Sequence, residues 1–314
     1  MYKNKNVLLI AGGGTLGTYT AKELLRLGCN VDVLCPEDKV SDHERLTFYQ
    51  GWAQEEVLRN LLTKKHYHGI VNFVHYPEVE DYKPIHALLT EHADHLIFLS
   101  SYRVYADLEH PITEKSPMLL DVSEDKRFLE TEKYAISKAK GEKFLREGAN
   151  LEKCTIVRPV ISFSHLRFDV VICSGQKIFE KTAKGEAIIL PEKAKNLVAG
   201  LDWAGNTGKL IANLLFKKET YGEAYTISSA QNLTWGEVAD IYTKLTGARF
   251  EWVDTETFWE HGEEDKSLKE YILIYDRFFD RTIDNSKVLK ATGLSAEDFV
   301  SVEEGLKIEL EKIV

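Results

Sequence analysis

Short apolar runs rich in β-branched residues alternate with amphipathic segments through the first half of the chain. The runs predict buried strands, and the segments between them, with apolar residues at helical spacing, predict helices. The predicted strands are residues 7–11, 31–34, 46–49, 70–74, 96–99 and 155–157. The predicted helices are residues 15–27, 54–62, 84–91 and 131–145. This alternation is the signature of βαβ units, so we expect an α/β fold with a doubly wound parallel sheet.

The second half of the chain has a less regular pattern and predicts a smaller mixed α/β lobe for the substrate. Thr234 with Glu237, and Ser301 with Glu304, have the spacing of capping boxes at helix starts. We expect a dinucleotide-binding domain over residues 1–160, joined by about 195–216, and mainly a substrate lobe over 161–314. The predicted helices of this half are residues 171–184, 203–215, 235–246 and 302–313.

A glycine cluster lies where the first predicted strand turns into the first predicted helix. In that position Gly14 lets the backbone approach a pyrophosphate, and Gly17 lets the helix pack closely on the strand. The start of the helix offers free amides and a positive dipole to the phosphates. The alternative is a purely structural turn. The predicted cofactor contacts of this loop are Gly12, Gly13, Gly14, Thr15, Leu16 and Gly17.

The tip of the second predicted strand bears on the choice of cofactor. A carboxylate there suits the ribose hydroxyls of NAD, whereas a cation suits the 2′-phosphate of NADP. Glu37 and Asp38 occupy this tip with no arginine adjacent, so the tip favours NAD and leaves NADP as the alternative. Glu37 is the predicted cofactor contact. Trp52 is either a cover for the adenine or a surface residue.

Composition narrows the classes of function. The chain has 314 residues and a formal net charge of -10, which opposes attraction to phosphate backbones, so we expect no nucleic-acid partner. No run approaches the roughly 20 apolar residues that span a bilayer, and no secretory signal precedes residue 7, so we expect a cytoplasmic protein without a membrane partner. The cysteines are spread singly along the chain, so we expect them to be reduced: Cys29, Cys35, Cys154 and Cys173. Neither these cysteines nor the histidines have metal-ligand spacing; the histidines considered are His75, His165 and His261. We therefore expect no metal.

Tyr134 and Lys138 lie four residues apart in a segment of good helix formers. Residues at this spacing share one face of a helix. A free tyrosine has a pKa of about 10, too high for a general base at neutral pH. A neighbouring ammonium stabilises the phenolate and so lowers this pKa. Of the fourteen tyrosines, only Tyr134 has a lysine at this offset.

Two serines, Ser100 and Ser101, follow the fifth predicted strand, at the end where doubly wound sheets place their active crevice. With them the motifs GGGTLG, LSSYRVY, YAISKAKGE and IVRP occur in this order over roughly residues 5–247. In these motifs the chain resembles the extended short-chain dehydrogenase/reductases, the NAD-dependent epimerase/dehydratase family. The resemblance implies a Rossmann domain and a nucleotide-sugar substrate, with a homodimer as one possible assembly.

The resemblance also implies site residues. Ser101 matches the catalytic serine, Tyr134 the base, and Lys138 the residue that binds the ribose and tunes the tyrosine. Ser100 and Pro159 are further expected cofactor contacts. Glu114 and Arg158 also match the family, and we interpret both as structural or as part of a substrate loop.

One departure from the family limits the reaction. Related 4,6-dehydratases have an Asp-Glu pair where this chain has Tyr102 and Arg103, which disfavours dehydration and leaves epimerisation, reduction or oxidation. Arg103, Arg277 and Arg281 are candidate substrate contacts, with a solvated loop or arginine–aspartate pairing as the alternative. The alternative functions are a non-catalytic NAD(P)-binding regulator or an RNA-binding protein of the same fold.

Overall fold

Strands and helices alternate as predicted through the first half of the chain, and further elements follow. The computed structural model describes residues 1–148 and 150–313. The strands are β1 (Asn6–Ile10), β2 (Asn30–Cys35), β3 (Leu46–Gln50), β4 (Gly69–Asn72), β5 (Leu96–Leu99), β6 (Cys154–Pro159), β7 (Ile161–Phe163), β8 (Asp169–Val170), β9 (Cys173–Ser174), β10 (Ala187–Pro191), β11 (Leu201–Trp203), β12 (Ala224–Ile227) and β13 (Arg249–Val253). The helices are α1 (Thr15–Arg26), α2 (Glu55–Leu62), α3 (Val79–His92), α4 (Leu119–Val122), α5 (Lys126–Thr131), α6 (Ala135–Arg146), α7 (Gly175–Lys184), α8 (Ala204–Leu214), α9 (Trp235–Thr246), α10 (Thr255–His261), α11 (Lys266–Ile272), α12 (Ser286–Thr292) and α13 (Val302–Leu310).

The central sheet is parallel throughout. Across the described residues it has seven strands in the order β12-β6-β5-β4-β1-β2-β3. The chain runs outward from β1 in one direction to β3 and then returns to β4 on the other side of β1. Ligands of doubly wound sheets bind outside the carboxyl ends of the strands at such a reversal. The predicted fold class is confirmed.

Both faces of this sheet are covered by helices, and β1 shows why its sequence is continuously apolar. Val7 and Leu9 belong to the core beneath α1, α8 and α12, whereas Leu8 and Ile10 belong to the core beneath α2, α3 and α6. All four side chains are fully buried. A strand buried on both faces has no polar side, which accounts for the uninterrupted run.

Several predicted helices differ from the observed ones in their bounds: α3, predicted from residue 84, begins at residue 79, and α13, predicted to residue 313, ends at residue 310. The helix predicted over 131–145 is broken, because α5 ends at residue 131 and α6 begins at residue 135. The Glu132 carboxylate accepts hydrogen bonds from the amides of Tyr134 and Ile136 (2.9 and 3.0 Å) and so satisfies free donors at a new helix start. The helix predicted from 171 begins at residue 175, because the β8–β9 hairpin precedes it and the Ser174 hydroxyl caps it by accepting from the Lys177 amide.

The elements after β6 share a further core with residues that follow β5, and Trp235 and Tyr242 of α9 are buried in it. The predicted capping box at Thr234 is present in both directions. At Ser301 the hydroxyl accepts from the amide of Glu304 (3.1 Å), which is one half of the predicted box. Among the described helices, none has the length and apolarity needed to cross a membrane.

The two lobes are interleaved along the chain. The edge strand β12, which the sequence pattern did not reveal, returns to the central sheet and pairs with β6, from Ala224 opposite Ile156 to Ile227 opposite Pro159. Helix α8 packs against α1, and Val288 of α12 lies in the same core. The division into 1–160 with 195–216 stays a prediction, and β12 and α12 are further stretches that lie on the sheet.

Candidate active site

Two adjoining cavities lie at the carboxyl ends of the strands, on either side of the loop formed by residues 11–14. One, the Tyr134 cavity, has a volume of about 480 Å³ and is lined by Tyr134. The other, the Glu37 cavity, has a volume of about 590 Å³ and is lined by Glu37. Ala11, Gly14 and Phe73 line both. The cleft is therefore bipartite, with the glycine loop between its halves.

The glycine loop leaves the start of α1 open to the cleft. Gly14 is the N-cap of α1 with no side-chain cap, and a Cβ on it would meet nothing within 4 Å. Gly17 has no such freedom, because its Cβ would lie 2.3 Å from the carbonyl oxygen of Gly12. Ala11 has φ of 56°, a left-handed conformation that favours glycine. Of the other predicted loop residues, three line the Tyr134 cavity: Thr15, Leu16 and Gly17. Gly13 lines the Glu37 cavity, and Gly12 packs on Leu9.

The Glu37 cavity contains a carboxylate and borders an ammonium. A Cβ on Gly13 would lie 2.6 Å from Glu37 Oε2, so the carboxylate covers the glycine loop. Lys39, which the sequence reasoning missed, donates from Nζ to the Gly13 carbonyl oxygen (2.6 Å). Trp52 lines this cavity and remains 70% exposed.

Ser101 and Tyr134 both line the Tyr134 cavity, although they come from different elements. Ser101 follows β5, is buried, and accepts a hydrogen bond at Oγ from the amide of Arg103 (3.2 Å). Tyr134 directly precedes α6 and is half-buried. His75, after β4, places its ring centroid 5.1 Å from that of Tyr134 and its Nε2 2.8 Å from Ser137 Oγ. The fold thus brings the predicted serine and tyrosine to one cavity.

Lys138 lies one helical turn beyond Tyr134, and its amide donates to the Tyr134 carbonyl oxygen (2.9 Å). Its Nζ donates to the carbonyl oxygen of Leu99 (2.7 Å) and lies 6.0 Å from the centroid of the Tyr134 ring. Burial lowers the pKa of Lys138 to about 7. Among the described residues that line the Tyr134 cavity, Lys138 is absent, so its ammonium is held behind the wall by backbone carbonyls.

A buried ion pair supports the floor of the site. Arg158 donates from two nitrogens to Glu142 (2.8 and 2.5 Å) and from a third to the Glu114 carbonyl oxygen (3.2 Å). Burial alone would lower the pKa of Arg158, but the Glu142 carboxylate raises it above its ordinary value. Ser100 donates to the same carboxylate (2.5 Å), while both Ser100 and Pro159 line the Tyr134 cavity. Arg158 and Glu114 thus make contacts of a structural kind.

Three arginines surround the buried carboxylate of Asp276. Arg277 and Arg281 are hydrogen-bonded to it, and Arg103 Nε lies 3.5 Å from its Oδ2. Burial alone would raise the pKa of Asp276, but the three guanidinium groups lower it. Arg103 and Arg277 line the Tyr134 cavity. Arg281 is buried over the ring of Tyr102 (5.1 Å), outside the described lining of that cavity.

Neither cysteines nor acids gather into a metal centre in the part of the chain that the structure describes. No group of three or more His, Cys, Asp or Glu side chains is placed there to hold a metal ion. The cysteines Cys29, Cys35, Cys154 and Cys173 are free and buried.

Solved structures share this fold over nearly the whole chain. An epimerase from Methanothermobacter thermautotrophicus matches with a TM-score of 0.72 at 17% identity, covering 98% of this chain and 91% of that one. UDP-glucuronic acid 4-epimerase from Bacillus cereus, in complex with UDP-glucuronic acid and NAD, matches at 0.72 and 13%, covering 98% of each chain. The Bordetella bronchiseptica enzyme WbmH, in complex with NAD+, matches at 0.68 and 14%, covering 99% of this chain and 98% of that one.

These likenesses establish the fold, which agrees with the resemblance to extended short-chain dehydrogenase/reductases drawn from the sequence motifs. The sequence itself matches no family model and no curated protein.

Proposed function

We propose that this chain is an NAD-dependent enzyme that acts on a nucleotide sugar by hydride transfer, as an epimerase or as a reductase/dehydrogenase. The observation that carries the proposal is that Ser101 and Tyr134 line a cavity that continues across the open glycine loop into a second cavity lined by Glu37. A dinucleotide needs such a two-part site, and the solved structures that share the fold include enzymes in complex with NAD.

The residues of the cleft fit a nicotinamide dinucleotide. Gly14 leaves room for a pyrophosphate at the uncapped start of α1, where free amides and the helix dipole favour an anion. Glu37, which lines the Glu37 cavity, would accept hydrogen bonds from ribose hydroxyls, and its charge disfavours a 2′-phosphate. Lys39 acts against this preference, but its ammonium is already bound to the Gly13 carbonyl oxygen.

Tyr134 and Ser101 supply the acid–base chemistry in this proposal. When bound, the nicotinamide supplies the hydride acceptor and donor. Ser101 Oγ orients the oxygen of the reacting carbon, and the Tyr134 phenol oxygen takes the proton of that hydroxyl and returns it. Lys138, held beside the cavity by the Leu99 carbonyl, provides the cation that stabilises the phenolate when protonated.

The residues at the positions of the dehydratase pair disfavour dehydration. Arginine side chains carry donors and no acceptor, so Arg103 has no site that takes up a proton. Burial raises the pKa of the Tyr102 hydroxyl well above its ordinary value, so this group does not ionise. Neither side chain can carry out the proton exchange that loss of water requires. Epimerisation, reduction and oxidation remain within the proposal.

The proposal is tested by mass spectrometry of co-purified ligands and by turnover with nucleotide sugars. We expect bound NAD, and with a matching nucleotide sugar a transient or stoichiometric absorbance of reduced nicotinamide. Dinucleotide binding without turnover on any nucleotide sugar would favour the regulator, and failure to bind a dinucleotide at all would refute the proposal.

A further inference from the structure

The Tyr134 cavity is lined by cations although the protein as a whole is acidic. Its described lining residues include Arg103, Arg167 and Arg277 and contain no aspartate or glutamate. The whole chain has a formal net charge of -10. A cleft lined by one sign of charge concentrates ligands of the other sign. The cavity is therefore suited to an anionic substrate.

Arg103 has a buried guanidinium donor that is not committed to any acceptor among the described residues. Its Nε is buried and has no hydrogen-bond partner within the described structure. One terminal nitrogen lies 3.4 Å from Glu132 Oε1, a long contact. The carboxylate of Asp276, 3.5 Å from Nε, is already bonded to Arg277 and Arg281. Arg103 thus retains donors for a further acceptor.

The ion pairs around Asp276 contain one more positive charge than negative charge. Arg103, Arg277 and Arg281 face the two carboxylates of Asp276 and Glu132, which gives three positive and two negative charges. Arg167 has its own partner, Asp169, at 2.6 Å, and adding that pair leaves the surplus unchanged. A buried charge without a partner is costly, so a bound monoanion would complete the cluster.

The position of Arg103 places that anion beside the reacting carbon. Its guanidinium carbon lies 5.0 Å from the centroid of the Tyr134 ring, and its side chain is only 13% exposed. Arg167 is 51% exposed and lies nearer to solvent. A group bound by Arg103 therefore belongs to the part of the substrate next to the phenol, and a group at Arg167 belongs to a more distant part.

We propose that Arg103 binds a carboxylate on the sugar ring, so that the substrate is an acidic sugar; this inference rests on the proposed function. A carboxylate matches the planar guanidinium and carries the single charge that the cluster lacks. A phosphate monoester carries about -1.5 to -2 at neutral pH and would exceed that surplus.

The test compares ligands that differ only at the carboxylate. Binding of UDP-glucuronic acid and UDP-glucose is measured by calorimetry on NAD-saturated protein, and the pair glucuronic acid 1-phosphate and glucose 1-phosphate repeats the comparison without a nucleotide. We expect the acid to bind at least about tenfold more tightly in one pair or both, since a hydrogen bond to a charged group contributes about 1.5–3 kcal/mol.

Variants assign the preference to one side chain. Arg103→Met should abolish the preference for the acidic ligand, because it weakens binding of that ligand and leaves binding of the neutral ligand unchanged. Arg103→Lys should restore part of the preference. Arg59→Met, which removes an exposed arginine paired with Glu55 on α2, should preserve it. Equal affinities in both pairs, no binding of either acid, or a preference that persists in Arg103→Met and Arg103→Lys would overturn the inference. If NAD itself does not bind, the proposed function fails first, and calorimetry with NAD alone distinguishes that case.

Discussion

The guanidinium carbon of Arg103 lies 5.0 Å from the centroid of the Tyr134 ring, closer than the Lys138 ammonium at 6.0 Å. Arg103 is fixed there between Glu132 and Asp276. A cation near an aromatic face stabilises the pair by roughly 0.5–2 kcal/mol. The tyrosine assigned to proton transfer is therefore flanked by two cations, of which only the lysine can lose its charge near neutral pH.

Removing the Tyr134 hydroxyl should abolish chemistry and leave binding intact. Tyr134→Phe keeps the ring, so unfolding free energy and NAD affinity should change little. A general base contributes about 10²–10⁴-fold, so kcat should fall by that factor or more. Turnover of a nucleotide sugar measures the loss. Tyr275→Phe is the matched control, because its hydroxyl donates to Asp125 outside the cavity. Near-normal turnover in Tyr134→Phe would contradict the assignment.

NAD should raise the melting temperature more than NADP at equal concentration. A ligand bound only by the native state at about 100 times its Kd stabilises that state by about 2.7 kcal/mol. Glu37→Gln should narrow the difference between the two cofactors, because it removes the charge that repels a 2′-phosphate. Asp42→Asn, which removes an exposed acid outside the described lining of the Glu37 cavity, is the control. Equal or reversed shifts in the unmodified protein would refute the NAD assignment.

The burial of Lys138 makes stability depend on pH. Its pKa is lowered to about 7 in the native state from an ordinary value of 10.5. Between these values the unfolded chain binds the additional proton, so stability rises with pH, by up to about 1.4 kcal/mol per pH unit. In urea unfolding from pH 7 to pH 9, the native protein should gain stability relative to Lys138→Met. A constant difference between the two would show that the ammonium is not desolvated.

Glycine at position 11 should stabilise the protein. The left-handed conformation of Ala11 costs a non-glycine residue about 1–2 kcal/mol, and the greater freedom of unfolded glycine offsets about 0.5–1 kcal/mol of the gain. Ala11→Gly should therefore raise the free energy of unfolding by up to about 1 kcal/mol, measured in urea. Ala53→Gly, at a position without positive φ, should lower it. A loss of stability in Ala11→Gly would contradict the argument.

The periodicity of the sequence was sufficient for the first six strands, because five of them are short, mainly apolar runs that are buried, and the edge strand β3 mixes partly buried and exposed positions. It was insufficient for β12, whose four residues, Ala224–Ile227, are too few to stand out. It also missed the break before α6, because that break depends on the Glu132 carboxylate accepting from the amides of Tyr134 and Ile136, which follow it in the chain.

The candidate site shows the same division. Spacing and order along the chain identified Ser101 and Tyr134, which meet at one cavity because α6 begins at the end of the sheet where β5 finishes. Pairing with a neighbouring aspartate, the alternative for Arg277 and Arg281, is present at Asp276. The surroundings of Lys138 and Lys39 could not be anticipated, because each depends on a distant backbone carbonyl. Long flexible side chains meet hydrogen-bond partners that are distant in sequence only in the folded protein.

Because β12 pairs with β6, the central sheet can be completed only late in the synthesis of the chain. The first six strands have been translated by residue 159, but the partner of the sixth extends to residue 227. Domains generally fold as units while the chain emerges from the ribosome. During synthesis, one edge of β6 therefore stays unpaired until residues 160–227 have been translated. An unpaired strand edge can pair with another chain, which favours aggregation.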